Sequence, residues 1–271
     1  MLLDAVPDRD HDGVGDDADN CPDDANADQS DVDSDGVGDI CDDCPLVSSP
    51  QGIDGDGDHV GDACDPHVST PGDCLVLLDR FASVDQFAAH WEVESKAGTT
   101  PSIEPYAGGV RVTSDPTYHR VTMIAHDGAG LRFDGRYDVQ MLANATLATS
   151  AVAVMTSFND AMPMFRGVFC EVLHTGTGLF IATGDDNVNT SVQVIPTFQV
   201  GSAIRMLYSA SSTTEMAACR VDIGIGVAAT QIGPLPDSAG VSGFIVYDDP
   251  IDAKAVALYK PLGSCPTPIV R

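Results

Sequence analysis

The fold class predicted by the sequence is all-β: a β-sandwich preceded by an irregular, aspartate-rich repeat segment. Three observations predict it. From Cys74 onward, short apolar runs are broken by Gly, Asp, Asn, Pro and Ser, with no long stretch of helical period. Before Cys74, aspartate recurs in a twelve-residue window that opens at Asp8, Asp31 and Asp54, a spacing of 23 residues kept twice. Four cysteines are offset so that neighbouring windows can be joined.

In each window Asp fills places one, three, five, nine and twelve. The first window supplies Asp8, Asp10, Asp12, Asp16 and Asp19; the second Asp31, Asp33, Asp35, Asp39 and Asp42; the third Asp54, Asp56, Asp58, Asp62 and Asp65. Place seven, where a calcium loop supplies a backbone carbonyl, is Val14, Val37 and Val60. Three calcium cages in series are therefore expected. The pattern departs from a helix-flanked calcium loop at place twelve, where Asp replaces a bidentate Glu, and Cys and Pro follow in place of a helix.

A solvated acidic tail is the plain alternative. Residues 1–67 hold 21 aspartates, no glutamate and one basic residue, Arg9, and a tail kept only for charge has no reason to exclude Glu. A tight loop folding short carboxylates around one ion does, and it wants glycine at place six, as in Gly13 and Gly36. The third window breaks that rule with His59.

Cys41 and Cys64 lie ten residues after the start of their windows, and Cys21 and Cys44 thirteen after theirs. The first window has Ala18 at the earlier place, and the third has His67 at the later one. Each later Cys thus faces forward to the earlier Cys of the next window, predicting Cys21–Cys41 and Cys44–Cys64 in an array complete at three. Zinc is the alternative for CDDC, but hard aspartate oxygens suit calcium. Disulfides imply an oxidising compartment, hence an extracellular or cell-surface protein.

Asp8 through Gln29, with Asn20, Cys21, Pro22, Asn26 and Gln29 at their places, resembles a thrombospondin type 3 repeat. The resemblance covers roughly the first quarter of the chain. It implies a segment with almost no apolar core, wound around calcium, with successive cysteines bonded; it also implies that Asn26 helps a second ion. The second repeat departs, with Ser49 and Gly52 where the pattern has Asn and Gln. The few apolar residues of the segment cannot offset an ordering cost of about 1 to 2 kcal/mol per residue, so calcium is expected to supply its folding energy.

The whole chain carries a formal charge of −28, and no basic patch fits nucleic acid. No apolar run of about 20 residues is long enough for a membrane helix. The opening MLLDAVP has no secretory leader pattern, so Met1 is expected to be the truncated start of a mature chain. The expected organisation is an N-terminal lead (1–7), calcium-binding repeats (8–67), a linker (68–73) and a jelly-roll domain (74–271).

Twelve apolar runs in that last part are expected strands: LVLL at 75, GVRVTS at 109, RVTMIAH at 120, YDVQMLA at 137, AVAVMTSF at 151, GVFCEVLH at 167, GLFIATG at 178, VQVIPTF at 192, AIRMLYSA at 203, MAACRVDIG at 216, SGFIVYD at 242 and KAVALYK at 254. Residues 84–90 are expected to hold one or two helical turns. LLDRFASVDQFAAHW and the late pair SGFIVYD and KAVALYK resemble the concanavalin A-like, laminin G-like jelly roll, which implies first and last strands side by side. Cys74, Cys170, Cys219 and Cys265 allow three pairings; their places favour Cys74–Cys265 and Cys170–Cys219.

Polysaccharide cleavage on this scaffold needs two facing carboxylates. Glu92 and Glu94, at alternate places beside Trp91, are the one candidate pair, and the solvated side of an early edge strand explains them as well. No nucleophile elbow and no metal-ligand histidine spacing is present, so the chain is expected not to be an enzyme. Asn159-Asp160, Asp185-Asp186-Asn187 with Asn189, and Asp248-Asp249 with Asp252 are either turns or rim calcium sites.

The functional expectation is an extracellular calcium-binding protein of adhesion or matrix type, whose calcium-ordered stalk presents the sandwich to an extracellular protein or glycan. The alternatives are a self-associating subunit of a calcium-dependent surface filament or layer, and a polysaccharide-active enzyme.

Overall fold

The structure, a computed structural model, describes residues 6–49, 52–65, 67–95, 100–106, 108–115, 120–126, 138–145, 151–159, 166–175, 178–185, 190–195, 203–211, 216–223, 227–232, 241–247, 250–260 and 268–270. Its strands are β1 (Cys74–Asp79), β2 (Trp91–Glu94), β3 (Ser102–Tyr106), β4 (Gly109–Thr113), β5 (Arg120–Ala125), β6 (Asp138–Ala145), β7 (Ala151–Asn159) and β8 (Arg166–Thr175). They continue as β9 (Gly178–Asp185), β10 (Thr190–Ile195), β11 (Ala203–Ser211), β12 (Met216–Asp222), β13 (Val227–Ile232), β14 (Val241–Tyr247), β15 (Ile251–Lys260) and β16 (Ile269–Val270). Among the described residues one short helix, α1 (Val84–His90), follows β1.

Each of the twelve expected runs falls on a strand, although Tyr137, residues 196–198, Gly224 and Asp248 at their ends lie outside the described residues. β3, β13 and β16 were not legible: β3 carries Pro105 and pairs only with β4, an edge position that tolerates a residue without an N–H. β16 has only two residues.

The strands form two sheets. One runs β13-β12-β11-β6-β15-β1-β16, with β4 also on β15 and β3 on β4; the other runs β10-β9-β8-β7-β14-β5-β2. β1 lies antiparallel to β15, pairing Leu78 with Ala257, and parallel to β16, pairing Leu77 with Ile269. The first and last strands are thus neighbours, as the jelly-roll resemblance implied.

Alternation builds the core between the sheets. Val139, Met141 and Ala143 of β6 join it, as do Val152 and Val154 of β7 and Phe244 and Val246 of β14. Phe81, Phe87, Trp91 and Phe244 form an aromatic cluster whose centroids lie between 5.2 Å (Trp91–Phe244) and 6.0 Å (Phe87–Trp91). The Trp91 indole would be left with a buried donor, and it donates from Nε1 to Asp79 Oδ2 at 2.7 Å. Ser83 caps α1 by accepting from the Gln86 N–H, which seats Phe87 in the cluster. Cys170 of β8 and Cys219 of β12 are bonded across the two sheets, with Cα atoms 5.2 Å apart. Cys265, and so the expected Cys74–Cys265 pair, lies outside the described residues.

The sheet containing β1, β6 and β15 is buried on both faces. Inward go Leu77, Val256 and Leu258; outward go Leu78, Ala255, Ala257 and Tyr259, all of them buried. What covers the outward face is the repeat segment: Cys44, Leu46, Val60 and Cys64 share that second core. Leu46 is fully buried there, which contributes about 1.5 to 3 kcal/mol. The repeats therefore do possess a hydrophobic core, held in common with the sandwich.

Candidate metal centres

The three windows fold alike at places one and five. At place one, Oδ1 of Asp8, Asp31 and Asp54 accepts the N–H of place four at 2.8, 2.7 and 2.7 Å. The other oxygen accepts the N–H of place six at 3.3, 3.0 and 3.0 Å. At place five, Oδ1 of Asp12, Asp35 and Asp58 accepts from Val14, Val37 and Val60 at 2.7, 2.9 and 3.0 Å. Oδ2 of the same three residues reaches fourteen residues on, to the N–H of Asn26, Ser49 and Gly72 at 2.9, 3.1 and 2.9 Å.

These bonds gather places one, three and five. Asp8, Asp10 and Asp12, then Asp31, Asp33 and Asp35, then Asp54, Asp56 and Asp58, each bring one oxygen apiece to within 4.8 Å of one another. Places nine and twelve lie outside these trios. Asp16, Asp39 and Asp62 accept the N–H of place two, from Arg9, Val32 and Gly55, at 2.9, 2.9 and 2.7 Å. Asp19, Asp42 and Asp65 accept from Cys21, Cys44 and His67 at 2.9, 2.7 and 2.6 Å. Asn26 donates from Nδ2 to Asn20 Oδ1 and accepts on Oδ1 from Gln29 Nε2, at 2.7 and 3.0 Å.

The His59 irregularity has a physical answer. Places four and six both lie in the left-handed region in every window: His11 and Gly13, Ser34 and Gly36, Gly57 and His59. The third window moves its glycine from place six to place four, and His59 takes φ 71° at place six. The loop path, and the bonds Asp54 makes to it, are unchanged.

Place eight was the residue missed, although Gly15, Gly38 and Gly61 repeat there. A Cβ on Gly38 would lie 2.5 Å from Cys21 Sγ, and one on Gly61 would lie 2.9 Å from Cys44 Sγ. The disulfides Cys21–Cys41 and Cys44–Cys64, both as expected, pack on these glycines. Backbone bonds Gly38 N–H to Asn20 O and Gly61 N–H to Asp43 O, both 3.0 Å, complete each junction.

Several carboxylate oxygens are buried and have no hydrogen-bond partner: Asp10 Oδ2, Asp19 Oδ2, Asp33 Oδ2, Asp65 Oδ2 and both oxygens of Asp56. Burial, then the charge of Asp35, pushes Asp33 up to about 6; burial above all, with Asp33, Asp35 and Asp39 nearby, pushes Asp42 up to about 7. Orphaned hard oxygens that repel one another fit a calcium ion. The places one, three and five would hold it.

The profile of the thrombospondin type 3 repeat matches residues 7–29 and again 29–51. These residues are thrombospondin type 3 repeats. They are calcium-binding repeats, and the third window, beyond residue 51, repeats their geometry. No curated protein matches the sequence. Among solved structures, a legume lectin-like domain from Entamoeba histolytica is similar at 9% identity and TM-score 0.47, over 67% of this chain and 94% of that one. A carbohydrate-binding module from Bacillus subtilis gives 12% and 0.44, over 61% and 92%. A β-glucanase from Bacillus licheniformis gives 8% and 0.46, over 70% and 98%.

The type 3 repeats are tied to the sandwich by polar contacts as well. Arg80, just after β1, reaches Asp28 Oδ2 at 3.1 Å and the buried Asp39 Oδ2 at 3.4 Å. Gly72 and Asp73 both donate to Asp58 Oδ2, so the expected linker ends in a fixed turn. Between the second repeat and the sandwich lies a cleft of about 390 Å³, lined by Asp28, Asp31, Arg80, Tyr106, Gly109 and Lys254 among others.

Elsewhere, Glu92 and Glu94 sit on β2, the edge strand of its sheet. Asp252 makes a bidentate pair with Arg111 at 2.7 and 2.9 Å, which accounts for that member of the third loop cluster. Asp160, Asp186, Asn187, Asn189, Asp248 and Asp249 lie outside the described residues, as do the side chains of Asn159 and Asp185.

Proposed function

We propose that the chain is an extracellular calcium-binding protein of adhesion or matrix type with no catalytic role, in which calcium orders residues 8–67 against a binding module at 74–271. The observation that carries this reading is the shared core of Leu46, Val60, Leu78 and Tyr259. A repeat segment laid on the sheet transmits its order to the module, whereas a free tail would not. The full metal set is the five aspartates and the valine carbonyl of each window, with at least three ions and Asn26 beside a further one.

An extracellular protein or glycan is the partner this arrangement suits, and the cleft beside the second cage is the place for it. Its lining carries both charge signs and a tyrosine edge, and Asp31 belongs to a cage. A calcium-filled cage therefore fixes one wall. Glycan and matrix-protein arrays probed with the purified chain test this reading. It expects ligands bound in millimolar calcium and released by chelator or by Tyr106→Ala. A ligand that binds equally well in chelator would contradict it.

A further inference from the structure

The end of the repeat array is closed differently from its two inner junctions. In the first two repeats the residue after place twelve by two is a cysteine, Cys21 or Cys44, bonded forward to the next repeat. The third repeat has no successor, and His67 stands there. It faces forward to Asp73, the residue before β1, with Nδ1 2.7 Å from Asp73 Oδ2. Asp65, His67 and Asp73 bring one ligand atom each to within 4.8 Å of one another, a group separate from Asp54, Asp56 and Asp58.

Two of these three groups are carboxylates almost removed from solvent: Asp73 is 0% exposed and Asp65 8%. Asp65 Oδ2 is buried with no hydrogen-bond partner, while Oδ1 is pinned by the His67 N–H at 2.6 Å. Asp73 is fixed through its own N–H on Asp58 Oδ2 at 2.7 Å. The His67 side chain is 17% exposed, which leaves an entry path.

We propose that Asp65, His67 and Asp73 form a divalent transition-metal site of the zinc class, sharing only Asp65 with the third calcium window, that closes the repeat array onto the first strand of the sandwich. An imidazole with two carboxylates is a donor set that zinc or cobalt prefers and calcium does not. Three protein ligands leave a fourth position for water. The ion takes the place of the proton between Nδ1 and Oδ2, which is released, and the contact opens by about half an ångström to match zinc-ligand bonds of about 2.0 to 2.2 Å. In position and in effect it stands where the earlier repeats have a disulfide.

The test uses the full chain, free of any affinity tag and saturated with millimolar calcium, titrated with Co²⁺ while visible absorption is followed. The expected result is one Co²⁺ per chain with ligand-field bands of mixed nitrogen and oxygen coordination, displaced by stoichiometric Zn²⁺. His67→Gln keeps a polar contact to Asp73 but loses the ligand, and its cobalt affinity should fall by at least the roughly 10- to 100-fold that even an outer-shell loss costs. Asp73→Asn should weaken binding too, with calcium-loaded circular dichroism showing whether each variant is folded. No retained Co²⁺ in calcium, displacement by the calcium that fills the loops, or an unchanged folded His67→Gln would each overturn the site.

Discussion

Gln140 of β6 donates from Nε2 to the backbone carbonyl of Cys64 at 2.9 Å, joining the outer face of the sheet to the third calcium repeat across 76 residues of sequence. Gln140 is 1% exposed, so the amide is buried by the repeat that it bonds. Replacing it with Leu keeps most of the volume and strands the Cys64 carbonyl, at a cost of about 1 to 3 kcal/mol. The expected outcome is faster proteolysis within residues 44–64, with an unchanged unfolding transition for the sandwich. Equal proteolysis of both proteins would show that the bond does not hold the repeat in place.

Calcium removal should act on the same seam. Without ions the orphaned oxygens of Asp10, Asp33, Asp56 and Asp65 repel, and the repeats lose order. Leu78, Ala257 and Tyr259 then lose their cover. Excess chelator is expected to make residues 8–65 protease-sensitive and to raise binding of a hydrophobic dye, with both effects reversed by calcium. A protease-resistant repeat segment in chelator would refute calcium as its folding energy.

Much of this was legible because it is local. A 23-residue repeat of aspartates, the cysteine offsets and short apolar runs each encode structure within a few residues of themselves. The docking is encoded across the chain, and its signal was weaker. β1 reads LVLL and β15 reads AVALY, continuous apolar runs where a sandwich strand with one wet face alternates. Those runs announce a strand covered on both sides, but Leu46, which supplies the cover, is one leucine in CPLVSS. His59 was misleading for a related reason: the loop needs two left-handed residues, and a single-place glycine rule sees only one of them.

Place-eight glycine gives a sharper prediction. Gly38→Ala sets a methyl 2.5 Å from Cys21 Sγ and close to Asn20 and Asn26, atoms that the disulfide and the inter-repeat bond hold still. The strain should appear as loss of Cys21–Cys41, a bridge that closes a loop of 20 residues and stabilises by about 3 kcal/mol. Two free thiols per chain are expected on titration under native conditions, against none for Gly13→Ala, where a Cβ meets nothing within 4 Å. Gly13→Ala should instead weaken calcium binding, since its φ of 99° strains any side chain.

Calcium affinity should also depend on pH, with a sign that the carboxylates fix. Burial is the main cause pushing Asp33 up to about 6, and Asp42 and Asp65 up to about 7. A carboxylate raised in the folded chain holds its proton more tightly there than when unfolded. Its contribution to the ion-free fold is therefore present below the ordinary value of about 3.9 and is lost as pH rises through about 6 to 7. Calcium binds the deprotonated cage, so it competes with those protons and its affinity moves the opposite way. Titrations followed by circular dichroism should need more calcium at pH 5.5 than at pH 8, with the midpoint levelling off above the upper value. The charges facing Asp33 are Asp35, Asp31 and Arg205; those facing Asp42 are Asp33, Asp35 and Asp39; those facing Asp65 are Asp73, Asp58 and Asp56. Among these charges only Arg205 opposes the rise, beside the backbone N–H groups of Asp35, Cys44 and His67, so Arg205→Ala should steepen the dependence; a midpoint flat between the two pH values would mean that protons and calcium do not share these oxygens.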